Sequence, residues 1–330
     1  MDDRRQKTTL RKFHVIDANA RRWLADLTFG RVKYDEQMSR HTSFCVGGPA
    51  EAFVEPETSG ELSALVAGLA DRKIPYQVVG GGTNLIVTDA GISGVVICLK
   101  PCMSEILIEN TSDFQSRVTV MAGTSLRLLC SYVIRRGLKG MNFALGIPGT
   151  VGGAIRMNAG TALGWISDVL ESITVLYPSG LQETIDGNAL CFSYRKLLLP
   201  RIACGESLFQ QTIIVSGCFS LVRASSIDLK QEAREILRNR KRRQPVMSPS
   251  AGCIFKNPVV GKTAGELIDL CGLKGLKIGG AEVSEKHANF IVNTGAAVAA
   301  DILSLMDSVR KTVFERFNVN LEQEVIVIGN

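Results

Sequence analysis

Residues 146–160 read GIPGTVGGAIRMNAG, with glycine at 146, 149, 152, 153 and 160 and Pro148 near the start. No ordinary helix or strand accepts that density of chain-breaking residues. A backbone so bare of side chains winds closely around a flat or charged ligand and turns its N–H groups towards it, as phosphate-cradling loops do. A large cofactor is the first expectation; a set of tight turns between strands is the alternative. A second stretch, Gly80-Gly81-Gly82-Thr83-Asn84-Leu85, follows an apolar run from Tyr76 to Val79 that reads as a strand. Its small hydroxyl and amide side chains suit a pyrophosphate. It lacks the GxGxxG spacing, and Gly261-Lys262-Thr263 lacks the upstream glycine of a Walker A loop. Two glycine-rich loops within one α/β region favour a ligand over plain turns.

The 330 residues are 45% apolar, enough for two or three domains with real cores. MDDRRQKTTLRK at the start reads as a polar arm. No apolar run reaches the ~18 residues of a membrane span, and no signal-peptide core opens the chain, so a soluble, cytoplasmic protein is expected. Nine cysteines without a CxxC pair read as reduced, mostly buried thiols, and three dispersed histidines give no metal site. A net charge of +6 favours an anionic partner without identifying it.

Taken in order, Thr42 to Val54 reads as a strand, a Gly-Gly-Pro turn and a second strand. Thr58-x-x-Glu61 caps a helix carrying Leu62, Leu65, Val66 and Leu69. Leu126 to Arg136 forms a second helix ending at Gly137, among the strands Arg117–Met121, Ile173–Tyr177 and Thr212–Ser216. A long helix from Asp228 to Arg243 places Leu229, Ala233, Ile236, Leu237 and Arg240 on one stripe, and Pro245 stops it after RNRKRRQ. That cation run is either a solvated helix end or a phosphate or nucleic-acid contact. Small residues around Cys253 predict a thiol exposed at a strand edge. Thr263-x-x-Glu266 caps a short helix, and the Asp301–Phe317 helix packs Ile302, Leu305, Met306, Val309, Val313, Phe314 and Phe317 into a core. In the closing strand, Leu321 to Ile328, Glu322 and Glu324 share a face with Ile326 and Ile328. A carboxylate on an apolar face needs a partner, which singles out one of the two.

VVGGGTNLIV, ALGIPGTVGGAIRMNAG, FSYR, PSAGCIFKNP, AGELIDLCGLKGLKIGGAEVSEKHANFIVN and LEQEV occur in this order. Together they resemble the MurB family of UDP-N-acetylenolpyruvoylglucosamine reductases, over roughly residues 38–329 and in the compact second form of that family. The resemblance implies an α+β fold, with an FAD-binding part of the vanillyl-alcohol-oxidase (PCMH) type in two α+β subdomains and a C-terminal α+β substrate-binding domain. The corresponding boundaries are an arm over 1–37, the FAD-binding domain over 38–222, divided near residue 100, and the substrate domain over 223–330.

It further implies bound FAD, NADPH as hydride donor, and UDP-N-acetylglucosamine enolpyruvate as the small-molecule substrate. FAD would rest on Gly80, Gly81, Gly82, Thr83, Asn84 and Leu85 at its pyrophosphate. Gly123, Gly146, Ile147, Pro148, Gly149, Thr150, Gly152, Gly153, Ala154 and Asn158 would hold the remainder. Hydride addition at C3 leaves carbanion character at C2 beside a carboxylate, which needs cations and donors around it. Arg195 takes that role by resemblance, with Glu324 as its companion. Many family members carry a serine as proton donor in GS-x-FKNP; here the matching residue is Cys253, a stronger acid than a hydroxyl. Tyr194, Arg243, Lys256, Asn257 and His287 are the implied substrate contacts, Arg243 turning the cation run into a counter-charge for a diphosphate. A monomer without nucleic-acid or membrane partners is expected. Two readings compete: another FAD enzyme of this fold, and a polyanion-binding protein using RNRKRR.

Overall fold

A computed structural model of the chain describes residues 15–100, 102–199 and 211–330. The polar start of the chain and Cys204 lie outside them. Helix α1 (Ala18–Leu27) is followed by β1 (Lys33–Gln37), β2 (Pro49–Val54), α2 (Ser59–Asp71), β3 (Tyr76–Val79), β4 (Leu85–Val87) and β5 (Ile92–Cys98). The first sheet runs β1-β2-β5-β3, antiparallel between β1 and β2 and parallel across β2, β5 and β3. Thr58 Oγ1 accepts from Glu61 N at 3.1 Å and starts α2. The apolar stripe of α2 is fully buried against Ala52, Val54, Val95 and Ile97, each large side chain contributing about 1.5–3 kcal/mol by its removal from water.

Two expectations change here. Residues 15–37 are not an arm: Ile16, Ala20 and Leu24 enter the same core, and β1 completes the sheet. Thr42 to Val46 is not a strand, because Cys45 sits at φ 57° and Gly47 at φ 127°, which break an extended run. The bend carries Ser43 N to the carbonyl of Gly82 at 3.0 Å and so braces the triple-glycine turn.

The second layer comprises β6 (Ile106–Asn110), β7 (Gln115–Met121), α3 (Leu126–Arg135), β8 (Leu138–Lys139), α4 (Val151–Arg156), β9 (Gly160–Thr161) and β10 (Gly164–Trp165). It continues through β11 (Leu170–Leu176), β12 (Gln182–Asp186), β13 (Cys191–Ser193), β14 (Lys196–Leu198) and β15 (Ile213–Arg223). An antiparallel sheet runs β12-β11-β15-β7-β6, with β8 on β15. The expected stripe of α3 is buried on it, and Gly137 at φ 67° ends the helix.

The C-terminal part holds α5 (Ser226–Arg243), α6 (Ala264–Leu270), β16 (Lys277–Ile278), β17 (Ala281–Val283), β18 (Ile291–Asn293), α7 (Ala299–Phe317) and β19 (Ile326–Ile328). Its core gathers α6 and α7 with Phe44, Val46 and Ile86 from the first part. Phe314, expected in the core, is half exposed, as is Leu237 of α5. The closing strand is shorter than expected: only Ile326–Ile328 pairs, in parallel, with β4, while Lys256 N bonds Glu322 O and Glu324 N bonds Ile254 O. Asp89, just after β4, accepts from the N–H groups of Ala299 and Ala300 at 2.9 Å and caps α7. No helix among the described residues is long and apolar enough to cross a membrane.

Candidate active site

The two glycine loops face each other. A Cβ on Gly80 would lie 2.3 Å from Thr150 Oγ1, so a side chain there forces Thr150 to shift, and one on Gly81 would lie 3.0 Å from Gly149 Cα, so the facing loop would have to give by a few tenths of an ångström. Thr83 Oγ1 donates to the Pro148 carbonyl at 3.3 Å. The second loop is stitched to the β7–α3 turn by Leu126 N to Gly149 O, Val151 N to Thr124 O and Gly152 N to Ala122 O. Gly123 serves that packing, since an added Cβ would stand 2.3 Å from the Leu99 carbonyl and 2.6 Å from that of Met103. Asn84 uses its Nδ2 to donate to the Glu324 carbonyl at 3.1 Å, joining the first loop to the C-terminal strand. Ala154 is buried inside α4.

Arg195 lies at the tip of the β13–β14 hairpin in the left-handed region, φ 59°. Its Nε stands 2.7 Å from Glu324 Oε1, and both side chains are largely buried. Nη1 donates to the Gly160 carbonyl at 3.1 Å. Its guanidinium lies 5.2 Å from the ring centres of both Trp165 and Tyr194. Burial raises the Glu324 carboxyl above its usual range while the Arg195 charge opposes the rise. Of the two glutamates flagged by their face, Glu324 is the buried partner of an arginine. Glu322 is exposed and pairs with Lys256.

Cys253 is half-buried, not exposed at an edge as the sequence predicts. It bridges to Phe290, and Asn289 fixes Phe255, two residues on, by bonding both its amide groups to the Phe255 backbone at 3.0 and 2.8 Å. Burial first, and the Glu324 charge second, push the thiol up to about 12, with Arg195 and Arg240 pulling the other way. The thiol is therefore protonated across the neutral range.

The substrate candidates divide. Tyr194 meets the Asn257 backbone, and burial raises its hydroxyl. Asn257 Oδ1 accepts from Ala264 N at 3.1 Å, which commits that oxygen to the start of α6. His287 packs on Phe290, 4.9 Å between ring centres, and burial lowers its pKa, so it is a neutral packing group next to Gly265. Arg243 is exposed in the last turn of α5. Asn158, at φ 43°, accepts from Ser167 N at 3.1 Å and donates to Ser193 O at 3.4 Å, so it braces the Arg195 hairpin.

Sequence reasoning missed Arg240 and Trp165. Arg240 crosses Gly146, where an added Cβ would lie 2.8 Å from its Cδ, and its Nε is buried without a hydrogen-bond partner. Its signal was available, a cation on the apolar stripe of α5, by the reasoning that singled out Glu324. Trp165 carried no signal beyond its hairpin.

Unpartnered buried donors on Arg240 and Thr124, beside two loops pressed together through glycine, form a cradle that fits a flavin nucleotide. A mixed sheet with two glycine loops, an antiparallel sheet and a buried arginine–carboxylate pair fit the class of flavin-binding oxidoreductases. Residues 50–186 match the FAD binding domain family, and residues 244–328 match the UDP-N-acetylenolpyruvoylglucosamine reductase C-terminal domain. The chain is 45% identical to the UDP-N-acetylenolpyruvoylglucosamine reductase of Desulfosudis oleivorans, over 95% of this chain and 100% of that one. It is 39% identical to that of Syntrophobacter fumaroxidans, over 93% and 86%. The crystal structure of the Thermus caldophilus reductase (MurB) superposes with a TM-score of 0.75 at 36% identity, covering 91% of this chain and 99% of that one. The chain belongs to the UDP-N-acetylenolpyruvoylglucosamine reductase family and is an FAD-containing oxidoreductase.

Proposed function

We propose that the protein reduces UDP-N-acetylglucosamine enolpyruvate to UDP-N-acetylmuramate for peptidoglycan precursor synthesis, with NADPH as electron donor. The observation that carries this is the buried Arg195–Glu324 pair at 2.7 Å beside a protonated Cys253. The loops Gly80–Leu85 and Gly146–Ala154 would hold FAD, which would supply hydride transfer from NADPH to C3 of the enolpyruvyl group.

The chain's own residues handle the charge that follows. The Cys253 thiol lies in the field of two guanidiniums, Arg195 and Arg240, and one carboxylate, Glu324, a net positive site for a substrate carboxylate and the electron density that collects at C2. Glu324 holds Arg195 in its plane and keeps its charge compensated until the ligand arrives. Cys253 supplies the proton to C2, and its raised pKa keeps that proton in place until a strongly basic carbon forms beside it. Tyr194, exposed at the rim, and the cations at the end of α5 receive the nucleotide diphosphate. Residues 38–222 are assigned to the flavin and 223–330 to the substrate.

The test is anaerobic and spectroscopic. The FAD-loaded protein is expected to lose its flavin absorbance with NADPH and to recover it when UDP-N-acetylglucosamine enolpyruvate is added. Loss without recovery would discard the substrate and keep the flavin enzyme. Protein that takes up no FAD would refute the reading.

A further inference from the structure

We infer that Trp165 is a positioning residue for Arg195, its indole and the Gly160 carbonyl forming a clamp that sets the plane of the guanidinium. The inference rests on the role proposed for Arg195. The β9–β10 ribbon delivers both halves of the clamp, pairing Trp165 with Gly160 across the two strands. Gly160 is required there because the indole lies flat on it: an added Cβ would stand 2.4 Å from Cε3 and 2.6 Å from Cδ2 of Trp165. The Trp165 backbone is itself fixed, its N–H donating to Asp168 Oδ2 at 2.8 Å.

Against this support the guanidinium meets Trp165 at 5.2 Å and Tyr194 at 5.2 Å, and the two rings meet edge to face at 5.7 Å and 74°, so the three groups form a nearly equilateral triangle with both rings on the same side of the cation. Nη1 is held by the Gly160 carbonyl and Nε by Glu324, which leaves Nη2 outside both contacts and directed by them. Asn158 locks the ribbon to the hairpin that carries Arg195. A cation held over an aromatic face in a partly desolvated site loses rotational freedom and keeps its charge. The indole therefore pre-orients the group that meets the substrate carboxylate, without touching the substrate chemistry itself.

The experiment compares Trp165→Leu, Trp165→Phe and Arg195→Met in the full-length FAD-loaded protein. Trp165→Leu is expected to leave flavin reduction by NADPH unchanged and to slow flavin reoxidation by the enolpyruvyl substrate about 3- to 30-fold, the worth of one cation–π contact. Trp165→Phe should recover most of that loss. The chain has only two tryptophans, and Trp23 lies in the first core, so in a Trp23→Phe background Trp165 emission reads the clamp directly and should change on Arg195→Met. Reoxidation at the normal rate in Trp165→Leu, equal slowing in the Leu and Phe variants, or emission indifferent to Arg195→Met would each overturn the clamp while leaving Arg195 its role. Normal reoxidation in Arg195→Met would instead remove the role of Arg195 and the clamp with it.

Discussion

Replacing Cys253 by alanine separates the two halves of the proposed reaction. The thiol feels the charges of Glu324, Arg195 and Arg240, and burial raises it to about 12, so it is a full proton reservoir at neutral pH. A positioned general acid is worth about 10²–10⁴-fold in rate, which corresponds to about 3–5 kcal/mol on the barrier. The cost in stability is far smaller. Removing one sulfur from a half-buried site falls at the low end of ordinary mutational losses, about 1 kcal/mol. Stopped-flow measurement without oxygen should show flavin reduction by NADPH at the normal rate. Reoxidation by the enolpyruvyl substrate should fall by two to four orders of magnitude, while the urea midpoint moves little. Cys253→Ser should recover part of the loss, because a hydroxyl retains a transferable proton on a weaker acid. Reoxidation within about threefold of normal, less than any positioned acid supplies, would refute Cys253 as the donor. Equal slowing of both half-reactions would show damage to the flavin site.

Gly80→Ala places a methyl group 2.3 Å from Thr150 Oγ1, and overpacking of about 1–3 kcal/mol should weaken FAD binding about 5- to 100-fold in apo-protein titrations. Iodoacetamide at pH 8 should label Cys45, which is exposed, well before Cys253. Because the folded thiol pKa lies above its unfolded value, the folded state keeps a proton that the unfolded state loses. The stabilisation from Cys253 is thus complete below about pH 9 and falls away as pH rises towards about 12, so Cys253→Ala should flatten the alkaline loss of stability in urea titrations. Asp89→Ala removes both cap bonds of α7 and should lower the stability measured in urea by about 0.5–2 kcal/mol, with Asp89→Asn, whose single amide oxygen keeps one of the two bonds, recovering only part of it.

Much of this site was legible because chemistry and periodicity conflict at it. Glu324 stands out as a carboxylate on an apolar strand face, and the glycine loops stand out as runs that no regular element accepts. Arg240 obeys the same rule on α5, whereas Arg243 draws the eye by standing in the denser part of the cation run but is exposed. Trp165 was not legible, since its role depends on a two-residue ribbon and on a hairpin tip thirty residues later. Nor was the bend at Thr42–Val46: a cysteine at φ 57° leaves no trace in an alternating apolar pattern. The helix at Ala18–Leu27 was hidden by its mean polarity, although Ala20 and Leu24 lie one turn apart and are both buried.

The parallel pairing of β19 with β4 explains why the Glu324 carboxylate and the first glycine loop belong to one unit. Ile326 pairs with Leu85, Val327 with Ile86 and Ile328 with Val87. Leu85 directly follows the triple-glycine turn, so the register that sets Ile326 also sets Glu324, two residues earlier, against Asn84. Side chains alternate along an extended chain, and a slip of one residue would turn Glu324 away from Arg195. Asn84 closes the arrangement from both sides, donating its side-chain amide to Glu324 O and offering its own carbonyl to Ile326 N at 2.9 Å. The chain's last strand therefore returns to β4, in a two-stranded sheet of their own, to fix the carboxylate relative to the first glycine loop, and the arginine opposite, carried by a different hairpin, finds its partner only when both parts are in place.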